Sequence, residues 1–326
     1  ATIEQLVEKL DGPLDADAFA DKGVYDVLVI GGGPAGNSAA IYAARKGLKT
    51  GLLAETFGGQ VIETVGIENM IGTLYTEGPK LMAQVEEHTK SYDVDIIKSQ
   101  LATGIEKKEL IEVTLANGAV LKSKTAILAL GAKWRNINVP GEEEFRNKGV
   151  TYCPHCDGPL FEGKNVAVIG GGNSGLEAAL DLAGITKHVT VLEFLPELKA
   201  DQVLQERAAK TDNLTILKNV ATKEIVGQDH VTGLNYVERD TNEEKHLDLE
   251  GVFVQIGLVP STAWLKDSGI ELNERQEIIV DKFGSTNIPG IFAAGDCTDS
   301  AYKQIIISMG SGATAAIGAF DYLIRQ

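Results

Sequence analysis

Two short stretches, GGGPAG at 31–36 and GGGNSG at 170–175, constrain this chain more than any other feature. Each follows an apolar, strand-like run, over 26–30 and over 165–169, and each opens a helical run. In such a turn the first glycine permits the tight bend and the second lets the backbone approach a pyrophosphate. The third lets the helix pack close to the strand. The helix N-terminus adds unpaired N–H groups and partial positive charge. One loop of this kind is a weak signal. Here each is completed by an acid at the end of the next strand: Glu55, 19 positions past Gly36, and Glu193, 18 positions past Gly175. A carboxylate at that place accepts from ribose hydroxyls. The sequence therefore predicts an α/β chain with two Rossmann-like dinucleotide-binding domains.

Two dinucleotide sites in one chain point to a flavoprotein that takes a hydride from a nicotinamide and holds it on FAD. Glu193 also predicts which nicotinamide. A carboxylate binds a ribose 2′-OH but repels a 2′-phosphate, for which a nearby Arg is expected. The segment LEFLPELKAD contains no Arg. NADH is expected over NADPH.

The length of 326 residues suits two domains. Residues 1–22 read as an amphipathic linker helix and connector. Residues 23–136 together with 251–326 are expected to form a discontinuous FAD domain, and 137–250 a nicotinamide domain. Around Asn117-Gly118 two alternating runs predict a β-hairpin, and 213–257 reads as a series of short strands. An apolar strand near 290–296 precedes a Gly/Ala-rich helix over about 303–324.

Composition removes several function classes. Net charge is −16, which argues against nucleic acid and anionic membrane surfaces as partners. The longest apolar runs, YDVLVI and TAILAL, are strand-sized, against the ~20 residues that span a bilayer. The start is acidic, without a basic or apolar leader pattern. A cytoplasmic location is expected.

Between the two loops stand Cys153 and Cys156, in CPHC. A closed zinc site wants four ligands, and His155 lies inside the pair, where joint chelation is awkward. No metal is expected. A disulfide across so short a loop constrains little of the unfolded chain. What remains is a redox-active dithiol. Asp157 follows at once, and could move protons for the thiols or cap the CDGP turn. His155 reads as a tuner of thiol acidity, and Cys297 as a packed thiol.

The motifs GGGPAG, FGGQ, CPHCDGPLF, GGGNSGLEAA, GIFAAGDC and YKQ occur in this order along nearly the whole chain. Together they resemble the low-molecular-weight thioredoxin reductase family, with its three-layer ββα domains. TGLLAETFGGQ, GAKWRNINVPGE, GVTYCPHCDGPLFEGK and YKQIII resemble, within it, the branch of the alkyl hydroperoxide reductase flavoproteins. The resemblance implies roles. Cys156 faces the flavin, Cys153 exchanges with the next disulfide, and Asp157 donates the proton. Gly31, Gly33, Pro34, Ala35, Gly36, Glu55, Gly58, Gly59, Gln60, Asn69, Ala129, Gly131, Gly295, Asp296, Lys303 and Gln304 hold FAD. Gly170, Gly172, Asn173, Ser174, Gly175, Glu193 and Gly257 hold NADH.

The resemblance further implies a homodimer and an N-terminal pair of thioredoxin-like folds, absent from this sequence. Electrons are expected to run through such a domain to a peroxiredoxin that reduces peroxides. Only 13 residues separate Cys156 from Gly170, so dithiol and nicotinamide sit on one domain and are expected to alternate at one flavin by a swivel. Competing readings are a reductase of free thioredoxin, a hydrogen-peroxide-forming NADH oxidase, and a nucleotide-sensing module without turnover.

Overall fold

Successive residues of the strand before the first loop face two different layers. Val27 and Val29 pack against helices, whereas Leu28 and Ile30 pack on the opposite side. This period of two inside an otherwise continuous apolar run is that of a parallel strand buried on both faces. The structure is a computed structural model that describes residues 19, 22–64 and 66–326. The linker helix expected over 1–22 lies outside them apart from Phe19 and Lys22. The described chain divides into two units, one running up to Lys133 and resuming at Val259–Gln326, the other Trp134–Leu258.

In the first unit, β1 (Val24–Ile30), α1 (Pro34–Arg45) and β2 (Thr50–Ala54) form the opening βαβ element. α2 (Gly78–Lys90) leads to β3 (Val94–Lys98), and β4 (Ala102–Lys107), β5 (Ile111–Leu115) and β6 (Val120–Leu128) follow. The sheet order is β3-β2-β1-β6-β5-β4, with β17 (Ile291–Ala293) added beside β6. β1, β2, β3, β6 and β17 run parallel, so their C-terminal ends share one edge. The Asn117-Gly118 hairpin forms as expected, pairing β5 antiparallel to β6. α6 (Ile305–Leu323) covers the helical face with α1, burying Ala315, Ala316 and Ala319. It starts at Ile305 rather than 303 because Gln304 is an extended N-cap, with φ −136° and ψ 151°. By length and composition alone α6 is long and apolar enough to cross a bilayer.

The second unit repeats the plan. β9 (Asn165–Ile169), α4 (Asn173–Ala183) and β10 (His188–Glu193) form its βαβ element. Its parallel sheet has the order β11-β10-β9-β15-β8, with β8 Val150–Thr151, β11 Leu214–Lys218 and β15 Gly251–Val254. One face packs on α4 and α5 (Gln202–Ala208) through Val166, Val168, Leu176 and Leu182. The other is covered by an antiparallel sheet of β12 (Val220–Gly227), β13 (Val231–Glu238) and β14 (Glu243–Asp248). Three layers of ββα type result.

The expected boundaries are corrected at both ends, the second unit taking 134–136 as well as 251–258. Residues 251–258 do not join the first unit, because β15 pairs in parallel with β9 and β8. All four residues of GVFV are buried, so the strand completes the second sheet. The chain crosses between units after Lys133 and after Leu258, within the short mutually paired strands β7 (Ala132–Trp134) and β16 (Leu258–Pro260).

Candidate active site

The first glycine loop lies at the shared C-terminal edge of β1, β2, β6 and β17, where open α/β sheets hold ligands. Gly31 has φ +119°, and a side chain there would meet the Ala129 carbonyl at 2.1 Å. A Cβ on Gly36 would lie 1.7 Å from the Gly31 carbonyl. Packing of the protein on itself demands both glycines. Gly33 is different: a Cβ there would meet nothing nearer than Gly59 Cα at 4.0 Å. Gly33 is also the N-cap of α1, without a side-chain cap, and Pro34 opens the helix. The first-turn N–H groups therefore face a space kept clear by a glycine the fold does not need. A pyrophosphate fits that cradle.

Other expected flavin residues gather on this edge. Gly58 N–H donates to the Gly32 carbonyl at 2.8 Å, which lays the turn of Gly58, Gly59 and Gln60 beside the loop. Asn69 Nδ2 reaches Gln304 Oε1 at 3.2 Å. Gly131, at φ +68°, has open space where a side chain would stand. Gly295 N–H donates to Ser311 Oγ. Asp296 Oδ1 accepts from Ser308 Oγ at 2.8 Å, while its other oxygen accepts from no described residue. Burial pushes this carboxyl above the usual aspartate range. A half-buried carboxylate with spare acceptor capacity suits the hydroxyls of a ribitol chain, so the residues fit a flavin. Lys303 Nζ is instead turned to Glu277 at 3.0 Å and to the Thr298 carbonyl. Glu55 directly follows β2 and is exposed.

The second loop superposes in its chemistry. Gly170 has φ +117°, and a Cβ on Gly175 would lie 1.9 Å from the Gly170 carbonyl. Gly172 is again an uncapped helix N-cap, and a Cβ there meets nothing within 4 Å. Gly257, at φ +101°, also borders open space. Glu193 is buried. Its Oε2 accepts from Gly171 N–H and its Oε1 from Leu195 N–H at 2.7 Å. Asn173, expected on the nucleotide, forms a reciprocal pair with Asp201: its Nδ2 donates to Oδ2 at 3.0 Å and its Oδ1 accepts from Asp201 N–H at 2.7 Å. Ser174 follows in the first turn of α4.

Cys153 and Cys156 are joined as a disulfide. Cys153 caps the one-turn helix α3 (Pro154–Asp157), and its carbonyl accepts from Cys156 N–H at 3.1 Å and Asp157 N–H at 3.0 Å. Thr151 Oγ1 donates to Asp157 Oδ2, and accepts from Cys153 N–H at 3.4 Å. Burial raises the Asp157 carboxyl above its ordinary value, against the opposing pull of the Thr151 hydrogen bond. The acid thus keeps its proton to higher pH than an exposed aspartate, one position after Cys156. His155 Nδ1 lies 3.3 Å from Asp181 of α4. Cys297 is fully buried, its Sγ pointing at the Ala294 carbonyl at 3.4 Å, and burial pushes the thiol up to about 11. Among the described residues no cluster of His, Cys, Asp or Glu could hold a metal.

Comparison with known proteins decides the family. The pyridine nucleotide-disulphide oxidoreductase family matches residues 25–312. The chain belongs to it. A protein named NADH dehydrogenase from Bacillus subtilis strain 168 is 67% identical over 325 residues, covering 100% of this chain and 64% of the relative. A component of the alkyl hydroperoxide reductase of Staphylococcus aureus strain Mu50 is 59% identical over 326 residues, with 100% and 64% covered. The chain thus spans about 64% of the length of these relatives. Among solved structures, thioredoxin reductase from Streptococcus pyogenes aligns with TM-score 0.88 and 36% identity, covering 93% of this chain and 99% of that one. Thioredoxin reductase from Giardia duodenalis aligns at 0.89 with 28% identity, over 92% and 99%. The fold is thioredoxin reductase-like, and the family implies a flavin and a pyridine nucleotide.

Thr151, Asp181 and Asp201 escape a reading of sequence. Thr151 precedes the dithiol by two positions, but only the turn of α3 brings Asp157 back to it. Asp181 and Asp201 lie 26 and 28 positions from their partners His155 and Asn173, with no local pattern to mark them.

Proposed function

We propose that this chain is an NADH-dependent flavoprotein disulfide reductase. Its Cys153–Cys156 disulfide would hand electrons to a thioredoxin-like domain and through it to a peroxiredoxin. The observation that carries this reading is a bonded CxxC with a proton-retaining acid beside it, in the same unit as an open dinucleotide loop. When bound, FAD supplies a two-electron acceptor for hydride and a two-electron donor to a disulfide. The chain's own residues do the rest. The α1 and α4 N-termini bind the pyrophosphates, and Gly33 and Gly172 leave them room. Asp296 orients the ribitol. Glu193 sits, pinned, where a ribose 2′-OH is tolerated and a 2′-phosphate repelled, which supports NADH over NADPH.

Opening the disulfide consumes two electrons and, for two neutral thiols, two protons. The hydride from NADH would bring both electrons and one of these protons, and Asp157 would provide the other from its carboxyl, with Thr151 holding that carboxyl toward the cysteine turn. Its raised pKa gives the sign: the neutral donor is present at low pH and is lost as pH rises through that pKa. A second reading, reduction of a free thioredoxin, is favoured by the 99% coverage of the Streptococcus pyogenes thioredoxin reductase. The test is NADH-driven reduction of a free thioredoxin and of an N-terminal thioredoxin-like region from the longer relatives, across pH. Asp157→Asn should lower the rate about a hundredfold at low pH and flatten the alkaline fall. An Asn variant that keeps the wild-type rate and profile would remove Asp157 from the mechanism. Cys156→Ser retaining disulfide reduction would defeat the reading altogether.

A further inference from the structure

The strand that ends in Glu193 continues into Phe194, a large aromatic residue that is 55% exposed. Exposed phenylalanine side chains are common enough to need no explanation, but this one is held unusually firmly. The Glu193 carboxylate accepts from the N–H of the next residue, Leu195, at 2.7 Å. The Leu195 carbonyl accepts from Asn219 N–H at 3.0 Å, and Asn219 is in the left-handed region with φ +56°. Arg239, 45 positions away at the end of β13, donates Nη1 to the Phe194 carbonyl at 2.8 Å and to Asn219 Oδ1 at 3.0 Å. Its guanidinium carbon lies 3.9 Å from the centroid of the Phe194 ring.

An exposed ring is thus fixed along its backbone from three sides and covered on one face by a cation. It stands at the C-terminal edge of the parallel sheet, one residue past the acid of the second glycine loop. Ordering such a surface in advance lowers the cost of binding a flat ligand. A preformed aromatic and guanidinium pair is also what purine bases stack on. LEFLPELKAD contains no arginine, yet the fold brings one to Phe194 from another strand.

We infer that Phe194 and Arg239 form the platform for the purine end of the pyridine nucleotide, with Arg239 setting the position of the ring and adding cationic stacking. The inference rests on the reading of the second loop as the nucleotide site. The platform acts on the adenosine half alone, so a ligand without adenosine is blind to it.

The test uses the FAD-loaded protein, with the flavin site filled. Calorimetry measures ADP-ribose binding, and steady-state kinetics compare NADH with reduced nicotinamide mononucleotide, which lacks adenosine. Phe194→Ala should weaken ADP-ribose and raise KM for NADH about tenfold, in the range one stacked base carries. Arg239→Ala should do so about threefold, and Phe194→Tyr, which keeps the ring, should restore tight binding. Neither alanine variant should alter KM for the mononucleotide. Equal losses with both nucleotides, or unchanged ADP-ribose affinity in both alanine variants and in Phe194→Leu, would overturn the platform. Failure of the wild-type protein to bind ADP-ribose would overturn the nucleotide reading itself.

Discussion

The two glycine loops have nearly the same backbone but hold their acids differently. Gly33 and Gly172 share φ values of −79° and −83° and ψ values of −172° and −176°. Around the first, the turn of Gly58 and Gly59 closes in, with Gly58 bonded to the loop itself. Around the second, the turn at Lys199 and Ala200 does the same, donating both N–H groups to the Gly171 carbonyl at 3.1 and 3.2 Å, and a Cβ on either central glycine would meet nothing nearer than 4.0 Å. The acids do differ. Glu55 is exposed, whereas Glu193 is buried and held by two backbone N–H groups. The difference teaches how one motif serves two purposes. A solvent-facing acid is left to find its partner in the ligand, whereas an acid already held by two N–H groups sets the shape and charge of its loop before a ligand arrives.

The largest effect should come where protein packs on protein. Gly36→Ala and Gly175→Ala each drive a Cβ to within 1.9 Å of a backbone carbonyl, so each should destabilise its unit by more than about 4 kcal/mol in denaturant unfolding. Mild effects in both would mean the loops are not locked by their third glycines. Next come the central glycines. Gly33→Ala and Gly172→Ala should change stability by less than about 1 kcal/mol, because neither meets protein and neither has positive φ. Their functional effects should part. Gly33→Ala should purify without flavin, while Gly172→Ala should keep flavin and raise KM for NADH about tenfold, a loss of about 1.4 kcal/mol. Flavin loss in the second variant and not the first would invert the assignment. Smallest is the contrast between acids. Glu193→Gln keeps one acceptor oxygen for two N–H donors and should cost about 1 kcal/mol in denaturant unfolding, against less than about 0.5 kcal/mol for Glu55→Gln. Equal costs would break the claimed asymmetry.

Much of this was legible in sequence, for a physical reason. The strands Thr50–Ala54 and Asn165–Ile169 are short apolar runs bounded by turn residues, and the structure ends them at those residues. The first helix starts inside the glycine loop, at Pro34, because proline is preorganised for a first turn. GVFV was misplaced since a strand buried on both faces carries no periodicity that says which sheet it joins. The glycines, the dithiol and the acids are local patterns and could be read. Thr151 on Asp157, Asp201 on Asn173 and Arg239 on Phe194 are pairings made by the fold. The Arg239 case matters most, since that residue reaches Phe194 across 45 positions and no local pattern marks it.

The central claim is that electrons entering at the second glycine loop leave through Cys153 and Cys156. Its most direct test is an anaerobic titration of the FAD-loaded protein with NADH, followed by counting of accessible thiols. The account predicts that two thiols appear per chain, mapped by mass spectrometry to Cys153 and Cys156, while buried Cys297 stays unmodified. Bleaching of the flavin with no new thiol at either position would contradict it.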